Sequence, residues 1–173
     1  MAKTNAKSSA RRASRRTAPK QRVARKTPSR ARMRTKARPR QRFVASHHRE
    51  DDFEGGLRTY AKYRDLGIAD ATNGMVRAHV IRFIPPCRPE DVSKRHYHDV
   101  EFQMIYVLKG WIKTELDGQG AIVMRAGSAW IQPPRIEHVV LDYSDDCEVL
   151  EIILPADFAT VELDEPPVLS RGR

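Results

Sequence analysis

Acidic residues are missing from the first 49 positions of this 173-residue chain, which hold 18 of its 32 Lys and Arg. Residues 50–173 carry the other 14 basic residues against all 22 acidic ones, a net −8. The overall charge of +10 therefore describes the N-terminal stretch and says little about the rest. Branched aliphatics are as scarce there: Val23 is the only one before Val44. Such a segment cannot bury enough apolar surface to offset chain entropy. Pro19, Pro28 and Pro39 also interrupt any long helix. Residues 1–46 are thus expected to be a disordered basic tail. No aromatic residue precedes Phe43, which excludes base stacking by the tail. Cysteine is scarce: Cys87 and Cys147 are the only two, and they form no CxxC pair. That excludes a disulfide framework and fits reduced thiols in the cytoplasm. No stretch approaches the roughly 18 consecutive apolar residues of a membrane span. No apolar segment follows the basic start or the Arg pairs at 11–12 and 15–16, which argues against secretory and twin-arginine signals.

What remains of the tail is charge. Its Lys and Arg density suits nonspecific binding of nucleic acid or another polyanion by counterion release. It shares the acid-poor, Arg- and Ser-rich composition of a transit peptide, without the apolar helix face. The alternative is a solvated tail, or an upstream extension from a misassigned start with Met33 as the internal candidate. His47 and His48 are adjacent, face opposite ways in extended chain, and read as solvated.

From about residue 53 the pattern becomes that of strands. Asn73-Gly74 is a hairpin signal. Within Met75–Phe83, Val76, Ala78 and Val80 alternate with Arg77, His79 and Ile81. "QMIYVLKGWIKTEL", "AIVMRAG", "SAWIQPP", "EHVVLDYS" and "CEVLEIILP" follow, with turns such as "DGQG" and Ser144–Asp146 between them. No amphipathic helix of ordinary length intervenes. The expectation is an all-β antiparallel sandwich or barrel. Its layout is a linker and extended segment over 47–74, a barrel over 75–163 and a C-terminal tail over 164–173.

"HYHDVEFQMIYVLKG", residues 96–110, places two histidines at i and i+2, on one face of a strand. His138 lies on a later strand. Three neutral imidazoles that converge with an open coordination position suit a catalytic metal better than a closed structural one.

The spacing resembles that of the cupin superfamily. The first cupin motif is G-x5-H-x-H-x3–4-E-x6-G. Here it reads His96-Tyr97-His98, four residues, Gln103, six residues, Gly110, with Glu90 at the leading glycine position. The second is G-x5-P-x-G-x2-H-x3-N. Here it reads Gly127, Pro133, Arg135, His138 and Asp142, with Arg135 for a glycine and Asp142 for the asparagine. Residues 111–126 separate the motifs. The resemblance implies a double-stranded β-helix, the jelly-roll barrel, with its ligands pointing inward.

Carried over by position, the metal ligands would be His96, His98, Gln103 and His138. Glu101 shares a strand face with Gln103 if the strand starts early enough, so it stands as a substitute ligand or a partner of one. Asp142 has the parity of His138 and would hydrogen-bond a ligand imidazole or the pocket rim. His79 would line the cavity or sit as a core histidine. Arg135 would meet an anionic substrate or lie on the surface. A glutamine ligand is neutral, leaves the metal more electron-poor and cannot act as a general base. The resemblance implies a mononuclear metalloenzyme acting on a small organic molecule. Fe(II) is favoured, with Mn(II), Ni(II) or Zn(II) as other ions, and dioxygenase-type oxidation is the leading reaction. A redox-neutral isomerase or decarboxylase and a non-catalytic ligand-binding module tethered to nucleic acid are the alternatives. A homodimer is also implied, with residues 53–70 extending a sheet of the partner.

If the tail binds polyanions, full-length protein will bind duplex DNA far more tightly than a chain beginning at Phe43. That binding will weaken steeply between low and physiological salt. Equal affinity of the two chains, or affinity indifferent to salt, refutes the reading.

Overall fold

The structure, a computed structural model, describes residues 40–163 apart from Leu57 and Ser93. The expected tail up to residue 39, and the C-terminal tail over 164–173, lie outside the described residues. The last residues of the basic segment are described. The Arg42 N–H donates to the Ala71 carbonyl at 2.8 Å, and the Asn73 side-chain amide donates to the Arg40 carbonyl at 2.9 Å.

Among the described residues, eleven strands follow a 3-10 turn at Glu50–Asp52. They are β1 (Glu54–Gly55), β2 (Ala61–Asp65), β3 (Arg77–Phe83), β4 (His96–Asp99), β5 (Phe102–Lys109) and β6 (Trp111–Leu116). The rest are β7 (Gly120–Arg125), β8 (Ala129–Ile131), β9 (His138–Tyr143), β10 (Glu148–Leu154) and β11 (Ala159–Glu162). A short helix, α1 (Ile68–Ala71), lies between β2 and β3. No described helix is long and apolar enough to cross a membrane.

The strands form two antiparallel sheets, ordered β1-β2-β3-β10-β5-β8 and β11-β4-β9-β6-β7. Alternation in the sequence sets their inner faces. In β6, Ile112, Thr114 and Leu116 are buried while their neighbours are not. In β5 the buried set is Gln103, Ile105 and Val107. Inner side chains of both sheets meet in one core cluster that includes Phe83, Ile105, Val107 and Val149 from the first and Ile112 and Tyr143 from the second. Cys147 is buried within it, and both cysteines are free. This is the antiparallel barrel expected from the strand pattern, in the jelly-roll form that the resemblance implies.

Two local features differ from the sequence reading. Asn73 and Gly74 have the positive φ of a hairpin turn, 52° and 78°. The chain before them is α1, however, so they cap a helix. The Gly74 N–H donates to the Ala69 carbonyl and the Asn73 N–H to that of Asp70, the paired bonds of a Schellman cap. The same left-handed backbone serves both devices. The second difference lies in "HYHDVEFQMIYVLKG", which is two strands. β4 and β5 belong to different sheets, and the chain turns a corner at Val100–Glu101.

Gly110 alone joins β5 to β6 across the two sheets. Its φ is 66°, and a Cβ there would run into the Ser144 side chain and approach the Cys147 backbone at 3.1 Å. Gly110→Ala should therefore cost about 1–3 kcal/mol in chemical denaturation. Gly55→Ala, with nothing near its Cβ position, should stay within about 0.5 kcal/mol.

Candidate metal centre

β4 and β9 are neighbours, and His96 is the register partner of His138. β4 also pairs with β11, where His98 faces Thr160. These registers gather three imidazoles at one place. Their ring centroids are 4.3 Å (His96–His138), 4.9 Å (His96–His98) and 5.2 Å (His98–His138) apart. One ring nitrogen from each lies within 4.8 Å of the other two. Metals bind imidazole at about 2.0–2.1 Å, so little movement would let one ion reach all three.

The outer nitrogens decide which atoms face inward. His96 Nδ1 lies 2.7 Å from the Lys94 carbonyl, and His138 Nδ1 lies 2.9 Å from that of Ile136. A carbonyl only accepts, so each Nδ1 carries the proton. His98 Nδ1 is 2.9 Å from Thr160 Oγ1. His96 and His138 therefore present Nε2 as a free lone pair, the arrangement that second-layer hydrogen bonds impose on metal-binding histidines, and the Thr160 hydroxyl, which can accept as well as donate, allows the same tautomer in His98. Burial pushes all three down from 6.5 to about 4, and the neighbouring imidazoles add to the effect. Near neutral pH no proton competes with an ion for Nε2. The donor set therefore fits a divalent metal.

The triad lines a cavity of about 980 Å³. His79 of β3 and Glu151 of β10 line it as well. They are register partners, and His79 Nε2 donates to Glu151 Oε2 at 2.6 Å. Gln103 Nε2 donates to Glu151 Oε1, also at 2.6 Å. Burial works to raise the Glu151 carboxyl, but its bonds to His79 and Gln103 hold it below its ordinary value.

Residues 87–153 match the family model described as a cupin domain. The barrel has the cupin fold. The solved structures similar to it share its fold at low identity. KdgF from Halomonas sp. is 20% identical, with a TM-score of 0.51 over 64% of this chain and 94% of that one. The polyketide cyclase RemF from Streptomyces resistomycificus is 18% identical, with a TM-score of 0.57 over 72% and 89%. A Lactobacillus farciminis oxalate decarboxylase, in a formate complex, is 15% identical with a TM-score of 0.51, and the match spans 65% of this chain and 34% of that one. No curated protein matches the chain.

The barrel brings His96, His98 and His138 together and sets Gln103 beside Glu151 in the facing sheet. Gln103 is 2% exposed and is not part of the cavity wall; Glu151 is. Glu101 is exposed at the corner between β4 and β5 and gives its N–H to the Leu154 carbonyl. The corner breaks the strand on which Glu101 was to share a face with Gln103. Asp142 is also displaced from the cavity. Thr114 pairs with Val140 but Lys113 with Asp142, so Leu141 is an extra residue that reverses the parity beyond it. Asp142 instead accepts from the Tyr143 N–H and bonds the Cys87 thiol. Arg135 keeps the left-handed backbone of the motif glycine, φ 62°, with its side chain on Asp99 at 3.0 Å and exposed. Its own N–H donates to the His98 carbonyl, so it braces β4 from outside.

The sequence reading missed Glu151. The signal was present in "CEVLEIILP", where Glu151 shares parity with Val149 and Ile153, both buried. A carboxylate at an inward position of an apolar strand marks a paired or functional group.

The depressed histidines predict how the metal-free protein responds to acid. The unfolded chain takes up protons near pH 6.5 while the folded triad resists until about 4. Stability should fall as pH drops through that window. Calorimetry from pH 7.5 to 4.5 will show it, with a shallower fall for His138→Gln; an identical slope in that variant refutes the assignment.

Proposed function

We propose that this cupin is a metal-dependent enzyme acting on a small organic molecule, and that its chemistry is redox-neutral proton transfer of the isomerisation, cyclisation or decarboxylation kind. His96, His98 and His138 would hold the ion. Fe(II) is the first ion to test, then Mn(II), Ni(II) and Zn(II), since imidazoles discriminate poorly among them. A divalent ion held there would polarise a substrate carbonyl or carboxylate oxygen.

The observation that carries the reading is the His79–Glu151 couple on the wall facing the triad. From the sequence, Gln103 left the site without a base. Glu151 accepts from His79 Nε2–H, which leaves Nδ1 as the lone pair of a ring that lines the cavity. A carboxylate behind an imidazole orients it and stabilises its protonated form, so His79 can take a proton from substrate and return it. Gln103 positions Glu151. Two structural neighbours bear the names of redox-neutral enzymes, a polyketide cyclase and an oxalate decarboxylase.

Oxygen-dependent oxidation is the second reading. It is favoured by the all-imidazole ligand set, which leaves coordination positions open for dioxygen and substrate together. We also propose a homodimer, because Ile122, Val123 and Ile131 are exposed on the edge strands β7 and β8.

Metal analysis of purified protein should find about one divalent ion per chain, lost in His96→Ala. With the ion bound, a panel of diketones, 2-oxoacids and phenols should be turned over without oxygen uptake. His79→Asn should lower kcat by about 10²–10⁴-fold at unchanged metal content. Oxygen consumed in step with turnover would establish the second reading, and the absence of metal from active protein would sink both.

A further inference from the structure

We infer that the cavity is built for an acidic substrate bearing a carboxylate, and that Arg58 is the residue that recognises it. The inference deepens the metalloenzyme reading and rests on it for the substrate's second attachment point.

Arg58 lies between β1 and β2, outside the segment that matches the cupin family, and lines the cavity. Its Nη1 donates to Glu162 Oε1 of β11 at 2.8 Å. That bond ties a guanidinium from the N-terminal segment to the strand beside the one that carries His96 and His98. The side chain is 13% exposed, and Nη2 is buried with no hydrogen-bond partner among the described residues. Two more donors in the same cavity share that condition: Arg77 Nε and Trp130 Nε1. A buried N–H without an acceptor costs about 1–3 kcal/mol, and native proteins leave few. Three around one cavity signal missing acceptor atoms. The carboxylate deepest in the wall cannot supply them, because both Glu151 oxygens are taken by His79 and Gln103. Asp51, Asp52, Glu54 and Asp65 also line the cavity, but Asp52 is paired with Arg49 and the other three are exposed to water.

Charge narrows the class. The Arg58 guanidinium lines the same cavity as the triad and is tied to β11, the strand paired with β4; its Glu162 partner is half exposed to water and offsets it only in part. It would oppose a divalent ion held by the triad. Two cationic centres in one low-dielectric cavity are stable together when an anion lies between them. A neutral ligand could satisfy the donors but not the charge. A carboxylate does both, with one oxygen toward Arg58 and the rest of the molecule toward the triad. The volume of about 980 Å³ admits a ring or a short chain attached to the acid group.

The test uses full-length protein loaded with metal, with benzoate and pyruvate as acidic probes and benzamide as the neutral match of benzoate. Binding is measured by calorimetry, and metal content on the same samples. At least one acid should bind, benzamide should bind far more weakly, and Arg58→Gln should weaken the acid by about 10- to 100-fold. Arg58→Lys, which keeps the charge, should retain part of the affinity. Failure of both acids to bind, benzamide binding as tightly as benzoate, or Arg58→Gln binding like the wild type overturns the inference. If Arg58→Gln does not fold, the benzoate–benzamide comparison and Arg58→Lys decide it. Protein that holds no metal but still needs Arg58 for the acid would overturn the metalloenzyme reading and leave this one standing.

Discussion

The carboxylate of Glu151 sits between His79 and Gln103, and the functional side of the barrel depends on that placement. β10 is flanked by β3 and β5, and each neighbour sends one hydrogen-bond donor to a different oxygen of the same carboxylate. Taking a carboxylate out of water costs several kcal/mol unless its oxygens are paired. Both are, so the charge is tolerated and the three side chains are held in one geometry. This also accounts for a glutamine where the cupin motif has a glutamate. A second carboxylate 2.6 Å from Glu151 would repel it, and one of the pair would have to take up a proton. An amide donates instead. The charge usual at position 103 in the motif is carried one strand away.

The facing sheet solves the opposite problem, to keep three basic groups uncharged. Burial disfavours the imidazolium form and outweighs the Lys94 and Ile136 carbonyls, whose bonds favour it while holding the proton on Nδ1 of His96 and His138. Both acceptors lie two residues before the histidine they bind, so the same local device is built twice. The cavity thus has a wall of neutral lone pairs facing a wall that carries an oriented imidazole and its carboxylate. Arg58, anchored on Glu162, adds a positive charge supplied from outside the cupin motifs.

The strands were legible because inward and outward residues alternate, as in Trp111–Leu116. The three histidines were legible because their spacing matches a known pair of motifs. Two residues lie elsewhere than strand parity implied, for one reason: parity holds only along an unbroken strand. The corner at Val100–Glu101 sends Glu101 into solvent, and the extra residue Leu141 turns Asp142 away from the cavity. Arg135 was placed as a loop residue near the third histidine, but its direction depends on a left-handed backbone that its residue type does not announce. Glu151 and Arg58 went unnoticed because no motif contains them. One could have been found from its inward parity; the other only from the path of the chain.

By itself, the sequence pointed to an antiparallel β barrel over residues 75–163 and to His96, His98 and His138 as members of one site. Alternation and turn chemistry are local properties, and the spacing of the histidines is a property of the chain. Only the tertiary structure decided what faces them. Register between β3, β10 and β5 joins residues 79, 151 and 103. The link from Arg58 to Glu162 spans 104 positions. Contacts across such separations are set by which strands lie side by side, and strand order is a property of the whole fold.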